Sequence, residues 1–348
     1  MNEAWKSFIQ TQGAVLEGER VRDFGRPAEE RMAAAHGDIL ADLSDLSFMR
    51  ARGVEAKDFL NGQLSNDVKM LDASHSQLAA WCNPKGRMLV IFRLFRRADD
   101  YLLQLPAVLQ ENILKRLRMF VMRSKVVIDS ADNELSAMGL AGPKAEQILR
   151  AIVGFVPAGV NTSETRNDIT IISMPDPQPR YEIVAPTATL IKLWSGIKPQ
   201  VMAVGPSVWA WLDIMAGIPT ILPETHEEFV PQMANLELIS GVNFKKGCYP
   251  GQEIVARMQY LGKLKQRMFR AHVQTTDALR PGTPIYAPDF PGQSAGMVVN
   301  IEPASNNHGY DMLAVIQISS ASHGELHLAS ESGPLLTLQS LPYSVPSN

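Results

Sequence analysis

Cysteine is scarce in this chain: two residues in 348, Cys82 and Cys248, with no CxxC pair and no Cys/His cluster. A disulfide framework and a structural zinc site are therefore not expected, and a reducing compartment fits. Long apolar runs are missing too, since none approaches the roughly 18 residues that span a bilayer. Met1 to Gln12 shows no basic stretch followed by an apolar one, so no secretory signal is expected. A cytoplasmic protein without a membrane partner follows as the expectation. Neither GxGxxG nor GxxxxGK[ST] occurs, which disfavours nucleotide binding by those devices, and no GxSxG elbow supports a serine hydrolase. Positive charge is not in excess. The net charge of -3 argues against an electrostatic nucleic-acid binder as a whole, and direct DNA contact is not expected.

What is present is ample apolar material, 45% of residues, on a chain too long for one ordinary core. Residues 1–37 are polar, rich in Glu and Arg, and read as a partly ordered lead-in. Leu43 to Arg52 reads as a strand, and Val54 to Leu60 as a short helix closed by Asn61-Gly62. Gln77 to Asn83 and Met88 to Arg96 flank Pro84-Lys85-Gly86 as a hairpin. A helix from Pro106 to about Met122 sets Lys115, Arg116 and Arg118 against Leu109, Ile113, Leu117 and Phe120. Paired strands with intermittent helices make the fold class α+β. From Lys263 onward the helical pattern stops, and short strands between Gly/Pro turns suggest a small β-barrel or sandwich, with the boundary near residues 260–265.

The run Lys246-Gly247-Cys248-Tyr249-Pro250-Gly251-Gln252-Glu253 concentrates the most chemistry. A cysteine at the start of a helix, here read as Gln252 to Gln259, feels the positive end of the dipole. Lys245 and Lys246 add charge, and both effects favour thiolate. Gly247 and Gly251 supply backbone freedom, Glu253 would cap the first turn, and Arg257 stands four residues on, at ion-pair spacing. The ordinary alternative is a small buried cysteine in a common Lys-Gly turn. Trp209 reads either as a core anchor or as a flat wall for a heteroaromatic ligand. His323 and His327 lack a third ligand nearby and read as surface histidines. Arg87, Arg93, Arg96, Arg97, Arg116, Arg118 and Arg123 form a basic zone, read mostly as a solvated face.

The octapeptide resembles the K-G-C-[FY]-x-G-Q-E signature of the YgfZ-type folate-binding proteins, relatives of the glycine cleavage system T protein (aminomethyltransferase). Phe59-Leu60-Asn61-Gly62-Gln63-Leu64-Ser65-Asn66-Asp67-Val68, Asn83-Pro84-Lys85-Gly86-Arg87, Ala216-Gly217-Ile218-Pro219 and Phe229 to Leu236 look similar in order and spacing. The resemblance implies a T-protein-like folate-binding region of two interleaved α+β parts over residues 38–262 and a C-terminal β-barrel over 263–345. It implies tetrahydrofolate or a one-carbon derivative as cofactor, with Trp209, Asp67 and Gln63 contacting it. It implies a role in iron–sulfur cluster assembly or maintenance, with indirect effects on tRNA modification and with assembly or client proteins as partners. Cys248 and Lys246 are then the reactive pair, in a motif loop of Gly247, Tyr249, Gly251, Gln252 and Glu253. No permanent metal is expected, with Cys248 a transient cluster ligand. Two family positions differ here: Leu46 stands where a second folate-contacting tryptophan is expected, and Met215 where an acidic residue is. Val90-Ile91 replaces the aspartates of the aminomethyltransferases, so aminomethyl transfer is not expected. The alternative function is a folate-dependent one-carbon transferase using Cys248. A third, an RNA-binding adaptor, is set back by the lack of aromatics among the arginines and by the negative net charge.

Overall fold

The computed structural model describes residues 1–346 except Pro177; Pro177, Ser347 and Asn348 lie outside the described residues. The chain divides into two compact units built from separated stretches. Residues 1–60, 68–77 and 92–212 form unit 1; residues 61–67, 78–91 and 213 onward form unit 2.

Unit 1 contains a six-stranded sheet in the order Ser163–Arg166, Ile169–Ser173, Arg180–Pro186, Leu135–Ala141, Ile39–Asp42, Met202–Val204. All neighbours are antiparallel except the last pair. Side chains alternate across a strand, and that alternation sorts the sheet's faces. Tyr181, Ile183 and Ala185, with Met138 and Leu140, join a core with Ile148 and Leu149 of helix Ala145–Val153 and Leu190, Trp194 and Ile197 of helix Thr187–Ile197. Arg180, Glu182 and Gly139 occupy the intervening positions, with Glu182 directly opposite Gly139. A second layer in unit 1 pairs Leu46–Arg52 with Asp100–Pro106 on one side and Val127–Ser130 on the other, while residues 93–97 pair with 100–104.

The opening 37 residues hold two helices and two strands, more order than the partly ordered lead-in expected. Helix Glu3–Thr11 is capped by Asn2, whose side chain accepts from the Ala4 and Trp5 amides at 3.0 and 3.3 Å. Trp5 and Ile9, four apart on one helix face, are sealed in the unit 1 core, and the Trp5 indole N–H donates to buried Asp42 at 2.6 Å. Polar composition hid this, because three anchoring residues (Trp5, Phe8 and Ile9) suffice for a short amphipathic helix. The helix read as ending at Asn61-Gly62 runs on to Gln63, and Gly62 is not in a left-handed conformation.

Unit 2 ends in a six-stranded antiparallel sheet in the order His327–Leu328, Pro284–Tyr286, Gly296–Pro303, Tyr310–Gln317, Gln266–Val273, Leu336–Gln339. It curls so that its edges meet: Leu336 N donates to Leu326 O and Leu328 N to Pro334 O, both at 2.9 Å. Met312, Ala314 and Ile316 fill the inside of the curl, whereas Leu313 and Val315 face a second core with Leu78, Ala80, Cys82, Met88, Leu236 and Val255. One helix, Ile318–His323, interrupts a region expected to be all strand; its six residues are too few for a period of 3.6 to show in the sequence.

Because Trp5 fills core space and not surface, Trp5→Ala is expected to destabilise the chain by about 3–5 kcal/mol in chemical denaturation. A change under about 1 kcal/mol would contradict the packing of the N-terminal helix.

Candidate functional site

The octapeptide loop packs inside unit 2 against other stretches that carry the family resemblance. Lys246 is buried, 9% exposed. Its ammonium donates to the carbonyls of Asn61 at 2.5 Å and Leu64 at 2.6 Å, which end helix Ala56–Gln63. A lysine at a helix C-terminus satisfies carbonyls that have no intrahelical donor and complements the negative end of the dipole. The ammonium also lies 4.9 Å from the centre of the Tyr249 ring. Burial pulls the Lys246 pKa down to about 8, opposed by the negative charges of Asp67 and Cys248. Asp67, like Gln63, is half-buried in the same unit. The Gln63 amide oxygen accepts from the Trp81 indole at 3.4 Å.

Two glycines fix the loop's base. Gly251 has φ +79°, and a Cβ there would lie 2.4 Å from Asn83 O and 2.7 Å from the Gly86 backbone. Gly86, at φ +73°, closes the turn Asn83–Arg87, where the Asn83 side chain accepts from the Lys85 and Arg87 amides at 2.9 and 3.0 Å. The two turns therefore meet backbone to backbone. Ser65 and Asn66 join the assembly: Ser65 Oγ donates to Gly241 O at 2.7 Å, and Asn66 Nδ2 to Ser240 O at 2.7 Å. Gln232 Nε2 ties down helix Gln252–Tyr260 through Val255 O at 2.7 Å.

Cys248 stands exposed on this base, while Tyr249 beside it is buried. Burial raises the Tyr249 hydroxyl pKa, and the second thiol, Cys82, is sealed in the core with its pKa pushed up to about 12 by the same cause. Several roles read from the sequence differ. Helix Gln252–Tyr260 begins four residues after Cys248 with Gly251 as its N-cap, so the thiol is not in the first turn. The dipole's effect falls off within a turn and reaches the thiol weakly. Lys246 turns inward to helix carbonyls, not outward beside the thiol. Gly247 has no atom within 4 Å of its missing Cβ and no positive φ, so neither space nor strain demands glycine there. Glu253 makes no cap, and among the described residues no ion pair joins it to Arg257. Gln252 reaches Lys246 O at a long 3.5 Å. His323 and His327 bond the backbone oxygens of Ser319 and Gly333.

Trp209 lies in unit 1, 3% exposed, on the polar face of the six-stranded sheet. A Cβ on Gly139 would sit 2.3 Å from its ring, so glycine makes the slot the indole fills. Arg180 covers one ring face at 4.0 Å and donates to Trp209 O at 3.1 Å. Glu182, fully buried, accepts a hydrogen bond from Gln104 on the same face. The sequence reading missed this trio of Arg180, Glu182 and Gln104. The signal was there: two charged residues, two apart, inside an otherwise apolar strand. Val90 and Ile91 are buried apolar residues of unit 2, so no carboxylate stands at that position. Among the described residues no group of three His, Cys, Asp or Glu side chains is arranged to hold a metal ion.

Over 318 residues the chain is 33% identical to the tRNA-modifying protein YgfZ of Colwellia psychrerythraea, covering 88% of this chain and 93% of that protein. The chain belongs to the YgfZ family. The tRNA-modifying protein YgfZ of Photorhabdus laumondii is similar at 30% identity over 308 residues, 88% of this chain and 92% of that one. Residues 11–164 match the GCVT N-terminal domain. The aminomethyltransferase T of the glycine cleavage system from Bartonella henselae superposes with a TM-score of 0.81 over 97% of this chain and 96% of that one, at 16% identity. That likeness establishes the α+β fold, T-protein-like as expected. No helix of the described residues is long and apolar enough to cross a membrane.

Crowding at Gly251 and open space at Gly247 predict opposite outcomes for the same substitution. Gly251→Ala is expected to cost at least about 2 kcal/mol, and Gly247→Ala less than about 0.5 kcal/mol, by urea denaturation. Lys246 adds a pH dependence. Its folded-state pKa of about 8 lies below the ordinary 10.5, so the folded chain releases this proton first. Stability from this site is therefore complete above the ordinary value and lost as pH falls through 8. The parent's unfolding free energy, minus that of Lys246→Met, should rise between those two pH values; a flat difference would contradict a buried ammonium.

Proposed function

We propose that this chain is a folate-binding protein that supports iron–sulfur cluster assembly or maintenance, and thereby tRNA modification, through the exposed thiol of Cys248. The observation that carries the reading is the contrast between an exposed cysteine and its rigid base. Buried Lys246, the Gly86–Gly251 contact and the Ser65 and Asn66 hydrogen bonds hold still a loop whose outward group is a thiol. Thiolates are soft ligands suited to iron–sulfur species, and the cluster is cargo here, since one cysteine cannot hold it without ligands from elsewhere. The name tRNA-modifying carried by the relatives agrees with this reading.

Folate fits the polar face of unit 1. A pterin presents a flat ring with adjacent N–H donors. Glu182 is a buried carboxylate acceptor, Gln104 orients it, and Trp209 lies in the slot across the sheet at Gly139. Arg180 already takes one face of that indole, so Trp209 acts as a wall fixed in place by its cation partner. A one-carbon transferase would need a carboxylate near the transferred carbon. Val90 and Ile91 provide none, which favours the assembly role.

Cys248→Ala should fold normally yet fail to restore thiolated or methylthiolated tRNA in cells lacking the parent; full restoration would defeat the assigned thiol. Iodoacetamide should label Cys248 and leave Cys82 untouched in the native protein. Glu182→Gln should weaken tetrahydrofolate binding about 10- to 100-fold in a tryptophan fluorescence titration, the worth of a charge-assisted hydrogen bond. An unchanged affinity would remove the pterin from this face.

A further inference from the structure

The arginines singled out in the first half of the chain are largely spent within their own units. Arg93 is buried against Ser76 and Asn161, Arg97 pairs with Asp168, and Arg96 lies over the Tyr101 ring. Arg87 is held by the carbonyls of Glu227 and Glu228, Arg118 donates to Ile128 O at 2.7 Å, and Arg116 is likewise engaged. Open positive charge collects in unit 2, around the helix that follows Cys248. From Phe244 to Lys265 the chain carries Lys245, Lys246, Arg257, Lys263 and Lys265 against one carboxylate, Glu253, although its net charge is -3. Lys246 is turned inward. Lys245, Arg257, Lys263 and Lys265 are exposed, and among the described residues none of these four side chains pairs with an acid or donates a hydrogen bond. Exposed Lys85 joins them from the turn Asn83–Arg87, because Gly86 packs against Gly251 and Ile254.

Helix Gln252–Tyr260 turns Val255 into the unit 2 core, and Gln232 ties that side down through Val255 O. Its other face is open. Glu253, Ile254, Arg257, Tyr260 and Leu261 share that face at three- and four-residue spacing, and all five are exposed. Tyr260 is 66% exposed. Its ring meets Phe244 edge to face, with 6.0 Å between centroids and 71° between planes. That contact fixes the ring without stacking on it, and Lys245 is the residue after Phe244. The open face therefore offers a held aromatic ring with cations at both ends: Lys85 near Ile254, and Lys245, Lys263 and Lys265 near Tyr260.

We propose that the open face of helix Gln252–Tyr260 binds an unpaired segment of RNA, with Lys85, Lys245, Arg257, Lys263 and Lys265 on the phosphates and Tyr260 stacked on a base. A single strand alternates phosphates with flat, unstacked bases, and a fixed ring set among cations matches both at once. An acidic protein or a lipid surface would use the charges and leave the ring without a stacking partner. The inference goes beyond the thiol reading and does not require it, since neither Cys248 nor any folate contact takes part. It sets the RNA beside the loop that presents the thiol.

Binding of a tRNA transcript to the full-length protein, measured by fluorescence anisotropy, tests it. About four phosphate contacts give a salt slope of about 3, so affinity should fall about 60-fold between about 50 and 200 mM salt. The triple variant Arg257→Glu, Lys263→Glu, Lys265→Glu should lose most binding and flatten the slope, with thermal unfolding unchanged. Tyr260→Leu keeps an apolar contact for Phe244 and should weaken binding about 5- to 100-fold with the slope intact, the stacking share alone. Glu253→Gln, which removes the carboxylate on this face, should tighten binding. Cys248→Ala should bind the transcript as the parent does, so the thiol reading and this one can fail separately. No binding by the parent, or parent-like binding by the triple variant or by Tyr260→Leu, overturns the proposal. So does capture of the parent by poly-L-glutamate or by phosphatidylglycerol vesicles in preference to the transcript, which would assign the face to an acidic protein or to a membrane.

Discussion

The loop that presents Cys248 depends on one buried cation. Lys246 carries its charge out of water, and only specific acceptors make that tolerable. The Asn61 and Leu64 carbonyls lie at the end of a helix, where carbonyls are open to side-chain donors. The stretch Phe59–Val68 and the octapeptide are thus halves of one device: the first supplies the helix-end carbonyls, the second the ammonium. A flexible stem lets a point charge reach both oxygens, which a planar guanidinium would do with different geometry. The lowered pKa is the residue of an incomplete compensation, since burial outweighs the opposing charges of Asp67 and Cys248.

The two thiols show how far environment decides cysteine chemistry. Cys82 lies in the apolar core, where burial keeps its proton on. Cys248 is held by turns whose own packing excludes side chains, at Gly86 and Gly251, so its exposure is built in and not a product of mobility. Unit 1 follows the same logic in reverse. There the strand alternation that builds the apolar core necessarily sends Arg180 and Glu182 to the opposite face, and Gly139 opens the space for Trp209 beside them.

The α+β class and several of the longer strands, such as Leu46–Arg52 and Met88–Arg97, were legible in the sequence, because period and turn chemistry are local signals. Two kinds of feature were not. Short elements held by few anchors, such as helices Glu3–Thr11 and Ile318–His323, carry too little periodicity to stand out from polar surroundings. The direction of a side chain is the other. Lys246 read as an outward cation beside a thiol, since its partners are 185 and 182 positions away in the chain. Glu253 and Arg257 had the right spacing for an ion pair and do not form one, because on an exposed helix face the pair contributes only a few tenths of a kcal/mol.

A fold shared with an aminomethyltransferase at 16% identity says where chemistry can be placed, not which chemistry it is. One local difference from the expected aminomethyltransferase pattern lies at residues 90 and 91. Val90 and Ile91 are buried apolar residues where the resemblance leads us to expect aspartates of a transferase. A carboxylate introduced there would be desolvated without a partner, so the apolar packing and the missing acid are one constraint. Cys248 sits on a loop whose buried contacts at Lys246 and Gly251 leave its thiol exposed. Under the proposed assembly role, that arrangement suits the exchange of a soft ligand with a second molecule better than the enclosure of a small substrate.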